Sequence, residues 1–202
     1  MNKTRFEAFS DGVFAFAVTL LVLGIALPAF AHPPPSEAEL TTALLHLWPN
    51  LLAYALSFGV IGIMWQNHHA LFRVVGRIDR MTSFLNLGLL GVTVFIPFAT
   101  STLGAFPEMR PATFLYGLTL TSSSLMYNLL LAHLVRKRAF DPSVSDATIR
   151  ETVIAYRLGF LAYTCAMLIS LIAPVVSFSL YVLIAAYYLI PHGTDNDLDA
   201  VD

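Results

Sequence analysis

The stretch Arg5-Phe6-Glu7-Ala8-Phe9-Ser10-Asp11-Gly12-Val13-Phe14-Ala15-Phe16-Ala17-Val18-Thr19-Leu20-Leu21-Val22-Leu23-Gly24-Ile25-Ala26-Leu27 decides the fold class. From Gly12 onward it is continuously apolar apart from Thr19, without the alternation of polar and apolar residues that a barrel strand needs. With its approach from Phe6 it is long enough to cross a bilayer core, which takes roughly 20 residues of helix. Pro28 and the run Pro33-Pro34-Pro35 end it, because proline donates no backbone hydrogen bond, and they predict a stiff, extended connection. The basic start is not followed by a small-residue cleavage pattern, so the segment reads as a mature helix and not as a removable signal.

The rest of the chain repeats this reading. Of 202 residues, 57% are hydrophobic and only 12% charged, and the mean hydropathy is +0.71. A soluble domain carries about a quarter charged residues, so a soluble globular fold is excluded. Apolar stretches at residues 6–30, 44–72, 82–103, 113–135, 152–172 and 175–190 predict an all-α polytopic membrane protein with six transmembrane helices per subunit. Pro97 falls inside the third stretch and predicts a kink, while Pro174 predicts a tight turn between the last two helices. Pro107 and Pro111 bracket another connection. There is no internal duplication, so residues 1–193 form one domain, followed by an acidic tail at 194–202 that is expected to be disordered.

Sidedness follows from the basic residues. Lys3, Arg5, Arg73, Arg77, Arg80, Arg136, Lys137, Arg138 and Arg150 fall before the first helix or in alternate connections, against Arg110 in the connections opposite. Both termini are therefore expected in the cytoplasm. A net charge of −2 with 11 basic residues argues against a nucleic-acid partner. The single cysteine, Cys165, lies in an apolar run and supports neither a disulfide framework nor a thiolate metal cluster.

Polar residues inside membrane helices are costly and face protein or water. Arg5 reads equally well as an interfacial anchor. Asp11 lies about two turns inside the first helix with no basic residue one turn away, so it needs a partner from another helix. The second helix supplies candidates in Trp65-Gln66-Asn67-His68-His69. Trp65 and His69 share a face, whereas the adjacent His68 and His69 point about 100° apart and are poorly placed to hold one metal. The expectation is that Asp11 and Ser10 hydrogen-bond to Trp65 and His69 and lock the first helix to the second. Further along, Phe9, Phe16, Leu20, Leu23 and Leu27 form a stripe with Gly12 and Thr19 beside it. Spacing alone assigns that stripe to packing or lipid contact.

At these residues the chain resembles the transmembrane protein 175 family of potassium channels. The similarity is carried by Arg5 followed by Phe9-Ser10-Asp11 and Thr19-Leu20-Leu21, by Trp65 with Asn67-His68-His69, and by Ile78-Asp79-Arg80 leading to Asn86 and Pro97-Phe98. The resemblance implies a six-helix subunit of the prokaryotic single-repeat kind, a homotetramer in the cell membrane whose first helices line a central pore. It implies that potassium is the permeating ion and that no cofactor or resident metal is needed. By position it makes Phe16, Leu20 and Leu23 the apolar constriction, with Thr19 next to the middle ring. It makes Arg5, Ser10 and Asp11 the brace of the first helix, and Trp65 and His69 their partners. Relatives carry an aliphatic residue where this chain has Phe16, which leaves the tightest ring open among Phe16, Leu20 and Leu23.

The residues agree in one respect: there is no Thr-Val-Gly-Tyr-Gly filter, so a cation path must be built otherwise, and a ring of apolar side chains gates by dewetting. Glu7 would concentrate cations if it faces the pore. The alternative is a proton-coupled carrier relaying protons between Asp11 and His69. An enzyme is not expected, since neither a Gly-x-Ser-x-Gly nor a His-Glu-x-x-His motif occurs. The Thr121-Ser122-Ser123-Ser124 run reads as helix packing.

Overall fold

In the computed structural model, residues 3–30 and 34–189 are described, and they form a helical bundle. The acidic tail at 194–202, the last residues of the expected domain and Pro33 lie outside the described residues. In order, the helices are α1 (Lys3–Leu20), α2 (Glu37–His46), α3 (Trp48–Arg73), α4 (Arg80–Thr93), α5 (Ile96–Ala105), α6 (Arg110–Lys137), α7 (Asp146–Ile169) and α8 (Pro174–Leu189). Five segments are long and apolar enough to cross a membrane: Lys3–Gly24, Trp48–Arg73, Arg80–Ala105, Arg110–Lys137 and Asp146–Ile169. The expected sixth, α8, is apolar but has 16 residues, about 24 Å at 1.5 Å per residue, short of the roughly 30 Å of a hydrocarbon core.

Proline placement accounts for most boundaries, and after the first helix the chain departs from the sequence expectation. The first helix does not run to Pro28. It tightens into a 3-10 turn at Leu21–Gly24 and becomes extended at Ile25, because a helix carried to Pro28 would leave the Gly24 carbonyl without its i+4 donor. The following connection is not extended throughout: it contains α2, started by a capping box in which Ser36 accepts from the Glu39 amide and the Glu39 side chain accepts from the Ser36 amide. The second long helix begins at Trp48, with Pro49 in its first turn. Pro97 interrupts the third span without ending it: it sits in the first turn of α5, and α4 and α5 are separated only by Val94 and Phe95, both in the right-handed helical region, within the single apolar segment Arg80–Ala105. Pro174 opens α8 directly after the turn from α7, as expected.

The core lies between α3, α5 and α6, with α1, α4 and α8 packed around them. Buried hydroxyls cross-link it where apolar packing alone cannot orient helices, because lipid is as apolar as leucine. Ser57 Oγ is 2.9 Å from the Tyr116 hydroxyl and 2.7 Å from Thr100 Oγ1, which joins α3, α5 and α6. Tyr127 of α6 donates to the Met64 carbonyl of α3. Tyr181 of α8 donates to the Thr113 carbonyl at 3.3 Å, and its hydroxyl occupies the space a Cβ would need at Gly117. At the basic end, the connection after α3 pairs with the one after α6 through a Val75–Phe140 bridge, with Gly76 N–H donating to the Ala139 carbonyl at 2.8 Å. Asp79 caps α4 by accepting from Thr82, and His133 of α6 lies 3.0 Å from the same carboxylate. Arg136 can only donate, so its 3.4 Å contact makes His133 Nδ1 the acceptor and leaves the Nε2 proton for Asp79.

The first helix and its polar brace

Helical periodicity divides α1 into two faces. Phe6, Ser10, Phe14, Ala17 and, in the 3-10 turn, Leu21 point inward and are buried. On the other side Phe9, Phe16 and Leu23 are 55%, 60% and 74% exposed, with Gly12 and Thr19 also exposed between them. Leu20 is intermediate, so among the expected constriction residues it is the one turned furthest toward the neighbouring helices. Thr19 Oγ1 donates to the Phe16 carbonyl at 2.8 Å. Its single proton is spent on its own helix, and its lone pairs remain outward.

The inward face is held by a directed chain of hydrogen bonds. Ser10 donates to the Phe6 carbonyl at 3.1 Å, so its oxygen is free to accept from Asn86 Nδ2 of α4 at 2.9 Å. Asn86 then has only its carbonyl oxygen for His68 of α3, 2.9 Å away, which requires the proton on His68 Nε2. His68 is 1% exposed and sits among aromatic rings: Phe72 at 4.6 Å, Phe14 at 5.4 Å and Phe6 at 6.3 Å between centroids. Nearby, Trp65 Nε1 donates to Asp11 Oδ1 at 2.9 Å. Lys3 extends the brace to the helix end by donating to the carbonyls of Arg73 and Val75, at 3.2 and 2.9 Å, where carbonyls left free by the end of α3 attract a cation.

This arrangement joins the expected residues in part. Trp65 and Asp11 meet. His69 does not bond to Asp11 or Ser10 among the described residues: it is exposed and stacks on Trp65 with centroids 6.1 Å apart. The inward position belongs to its neighbour His68, and Ser10 finds Asn86 on a third helix. Adjacent histidines cannot both face the core, and the three phenylalanine rings select His68. Asn86, set in the apolar run 84–92 of α4, was the signal that α4 takes part in the brace. Arg5 is exposed and makes no hydrogen bond or ion pair among the described residues. Glu7 lies 4.0 Å from Lys3, one turn away on its own helix. No group of three or more His, Cys, Asp or Glu side chains suited to holding a metal occurs among the described residues.

Comparison with known proteins gives a consistent result. Residues 5–97 match the family described as "Endosomal/lysosomal potassium channel TMEM175". The chain is 39% identical to a potassium channel of Streptomyces collinus over 93% of this chain and 92% of that one. It is 36% identical to a potassium channel of Chamaesiphon minutus, over 91% and 92% of the two chains. Its fold is similar to the crystal structure of a lysosomal potassium-selective channel TMEM175 homolog from Chamaesiphon minutus, with a TM-score of 0.83, 34% identity, and coverage of 93% and 96% of the two chains.

Proposed function

The chain belongs to the TMEM175 family, and from that premise we propose that it is a potassium-selective leak-type channel of the prokaryotic cell membrane. Four copies assemble around an axis lined by their α1 helices, with both termini in the cytoplasm. Its full-length relatives are named potassium channels, and channels are not enzymes. One observation carries the reading of the pore. The face of α1 opposite the hydrogen-bonded brace is largely apolar, and among the described residues it stands uncovered: Phe16 and Leu23 are 60% and 74% exposed.

In a fourfold assembly Phe16, Thr19, Leu20 and Leu23 line the narrow part of the path. An ion crossing apolar rings loses hydration without replacement, and potassium gives up water more readily than sodium, so the rings favour potassium and gate by dewetting. The outward lone pairs of Thr19 offset part of that loss. Ser10, Asp11 and Trp65 hold α1 from behind, so the rings keep their radius. Glu7 at the basic end would draw cations to the entrance.

A proton-coupled carrier would need Asp11 and His69 in a relay. Asp11 is instead bonded to an indole N–H, which does not exchange protons usefully, and His69 is stacked on that indole. The deciding experiment is potassium and sodium flux from liposomes containing the purified protein, with and without a proton ionophore, alongside Phe16→Ala. Dissipative flux that favours potassium and changes with Phe16→Ala supports the channel. Flux that requires a proton gradient and ignores Phe16 supports the carrier.

A further inference from the structure

Arg157 lies inside α7, one of the segments long and apolar enough to span the membrane. Its depth is marked by the preceding residue, whose carbonyl accepts from Asn128 Nδ2 in the interior of α6 at 3.0 Å. Measured along α7, Arg157 is two turns further in than Arg150, on the order of 10 Å. It is exposed. Around it Ile154, Leu158 and Leu161 are 50%, 59% and 56% exposed, so it stands on the outward apolar face, while Gly159 and Ala166 are the buried residues of the helix. Arg157 makes no hydrogen bond or ion pair with any described residue.

A guanidinium keeps its charge at any accessible pH, and a charge in hydrocarbon is costly unless it finds a counter-ion or reaches the interface. The direction of α7 sets which interface that is. Side chains on a helix lean toward its N-terminus, and α7 starts at the end of the bundle where Arg136, Lys137 and Arg138 emerge. The interface that a long side chain at this position reaches by snorkelling is therefore the one at the start of α7, where Arg150 is exposed on the same face. The acidic groups of α7, Asp146 and Glu151, are both nearer the helix start than Arg157. Asp141, in the connection before α7, is engaged by the amide and hydroxyl of Ser143. Neither Arg150 nor Arg157 makes an ion pair with a described residue, and a planar guanidinium matches phosphate oxygens bidentately.

We infer that Arg157 and Arg150 clasp the phosphate of an anionic phospholipid in the leaflet at the basic end of the bundle, with an acyl chain lying along Ile154, Leu158 and Leu161. The site is independent of ion conduction, and it is read by lipid retention and not by flux.

The test is native mass spectrometry of the full chain in mild detergent with added phosphatidylglycerol, and phosphatidylcholine as the zwitterionic reference. Arg157→Gln is expected to lower phosphatidylglycerol retention about fivefold, the effect of one arginine near a charged lipid surface. Arg150→Gln is expected to lower it less, and Arg110→Gln, at the opposite end of the bundle, to leave it unchanged. Equal retention of the two lipids overturns the inference, as does undiminished phosphatidylglycerol retention by Arg157→Gln. Loss of assembly mass without loss of lipid would overturn it too, and assign Arg157 to a contact between copies of the chain. Should Arg157→Gln fail to fold, the thermal midpoint of the unaltered protein decides: a rise with phosphatidylglycerol over phosphatidylcholine supports the site, and no difference overturns it.

Discussion

Asn86 and Ser10 meet at 2.9 Å in the core although they are 76 residues apart in sequence, and through this one bond α4 fixes the rotation of α1 about its axis. Removing the bridging amide leaves the His68 Nε2 proton without its acceptor and deletes the bond that Ser10 Oγ accepts, while Ser10 keeps its own bond to the Phe6 carbonyl. Asn86→Leu, which deletes both bonds of the amide, should therefore cost about 2–3 kcal/mol, and Ser10→Ala, which leaves one proton of Asn86 Nδ2 without its acceptor, about 1–2 kcal/mol. Thermal or denaturant unfolding in detergent measures both, and a larger effect for Ser10→Ala would overturn the directed chain.

Trp65→Phe keeps an aromatic ring on α3 but removes the donor to Asp11. Since Trp65 is 42% exposed in the subunit, the bond is worth less than a fully buried charged one, and a loss of about 1 kcal/mol is expected. Asp11→Asn, which keeps an acceptor, should lose less than Asp11→Ala. Equal losses for the two would show that the hydrogen bond is not what holds this position.

At the proposed constriction, Phe16→Ala and Leu23→Ala should raise conductance and lower the preference for potassium over sodium, and Leu20→Ala should do so less because Leu20 is turned partly toward the helices behind it. Thr19→Val preserves shape and deletes the oxygen. It should lower selectivity at nearly unchanged stability, since its hydroxyl bonds only to its own helix. Single-channel recording under bi-ionic conditions separates these effects.

Asp79 is held well below its ordinary value of 3.8, chiefly by the Thr82 amide and hydroxyl and further by His133. A depressed carboxylate stabilises the fold fully above its unfolded-state value, and the contribution is lost as pH falls from that value toward the folded one. The unfolding midpoint of the native chain should drop below about pH 4 more steeply than that of Asp79→Asn, so the two curves converge toward low pH. Parallel curves would mean that this cap does not contribute.

Gly117→Ala places a methyl group against the Tyr181 hydroxyl and should cost about 1–3 kcal/mol through overpacking. Adding Tyr181→Phe removes the atom nearest the clash and should restore part of that loss. Failure of the second substitution to help would mean that Gly117 is required for a reason other than α6–α8 approach.

Much of the fold is legible in the sequence because apolar length and proline chemistry are local. The apolar length of the first span, the interruption at Pro97 and the turn at Pro174 follow from backbone donors and bilayer thickness and need no knowledge of neighbours, whereas the early end of the first helix at Gly24 does not. The connection expected to be extended instead holds α2, whose local signal is the capping box of Ser36 and Glu39. The brace was legible only in outline. Asp11 announces that it needs a partner, yet Trp65, Asn67, His68 and His69 were all at a suitable depth, and Asn86 lay on a helix with no other strong signal.

The sequence by itself determined that this is a helical membrane protein, roughly where its helices break, and which residues of α1 share a face. Only the tertiary structure decided which face of α1 turns inward, which histidine is buried and that α4 completes the brace. The physical reason is that both faces of α1 are apolar. Phe6, Phe14 and Leu21 are no less hydrophobic than Phe9, Phe16 and Leu23, and within a bilayer hydrophobicity gives no preference between protein and lipid. The orientation is therefore set by a few polar atoms, Ser10 Oγ, the Asp11 carboxylate, Asn86 and His68, whose partners come together only when α1, α3 and α4 are packed.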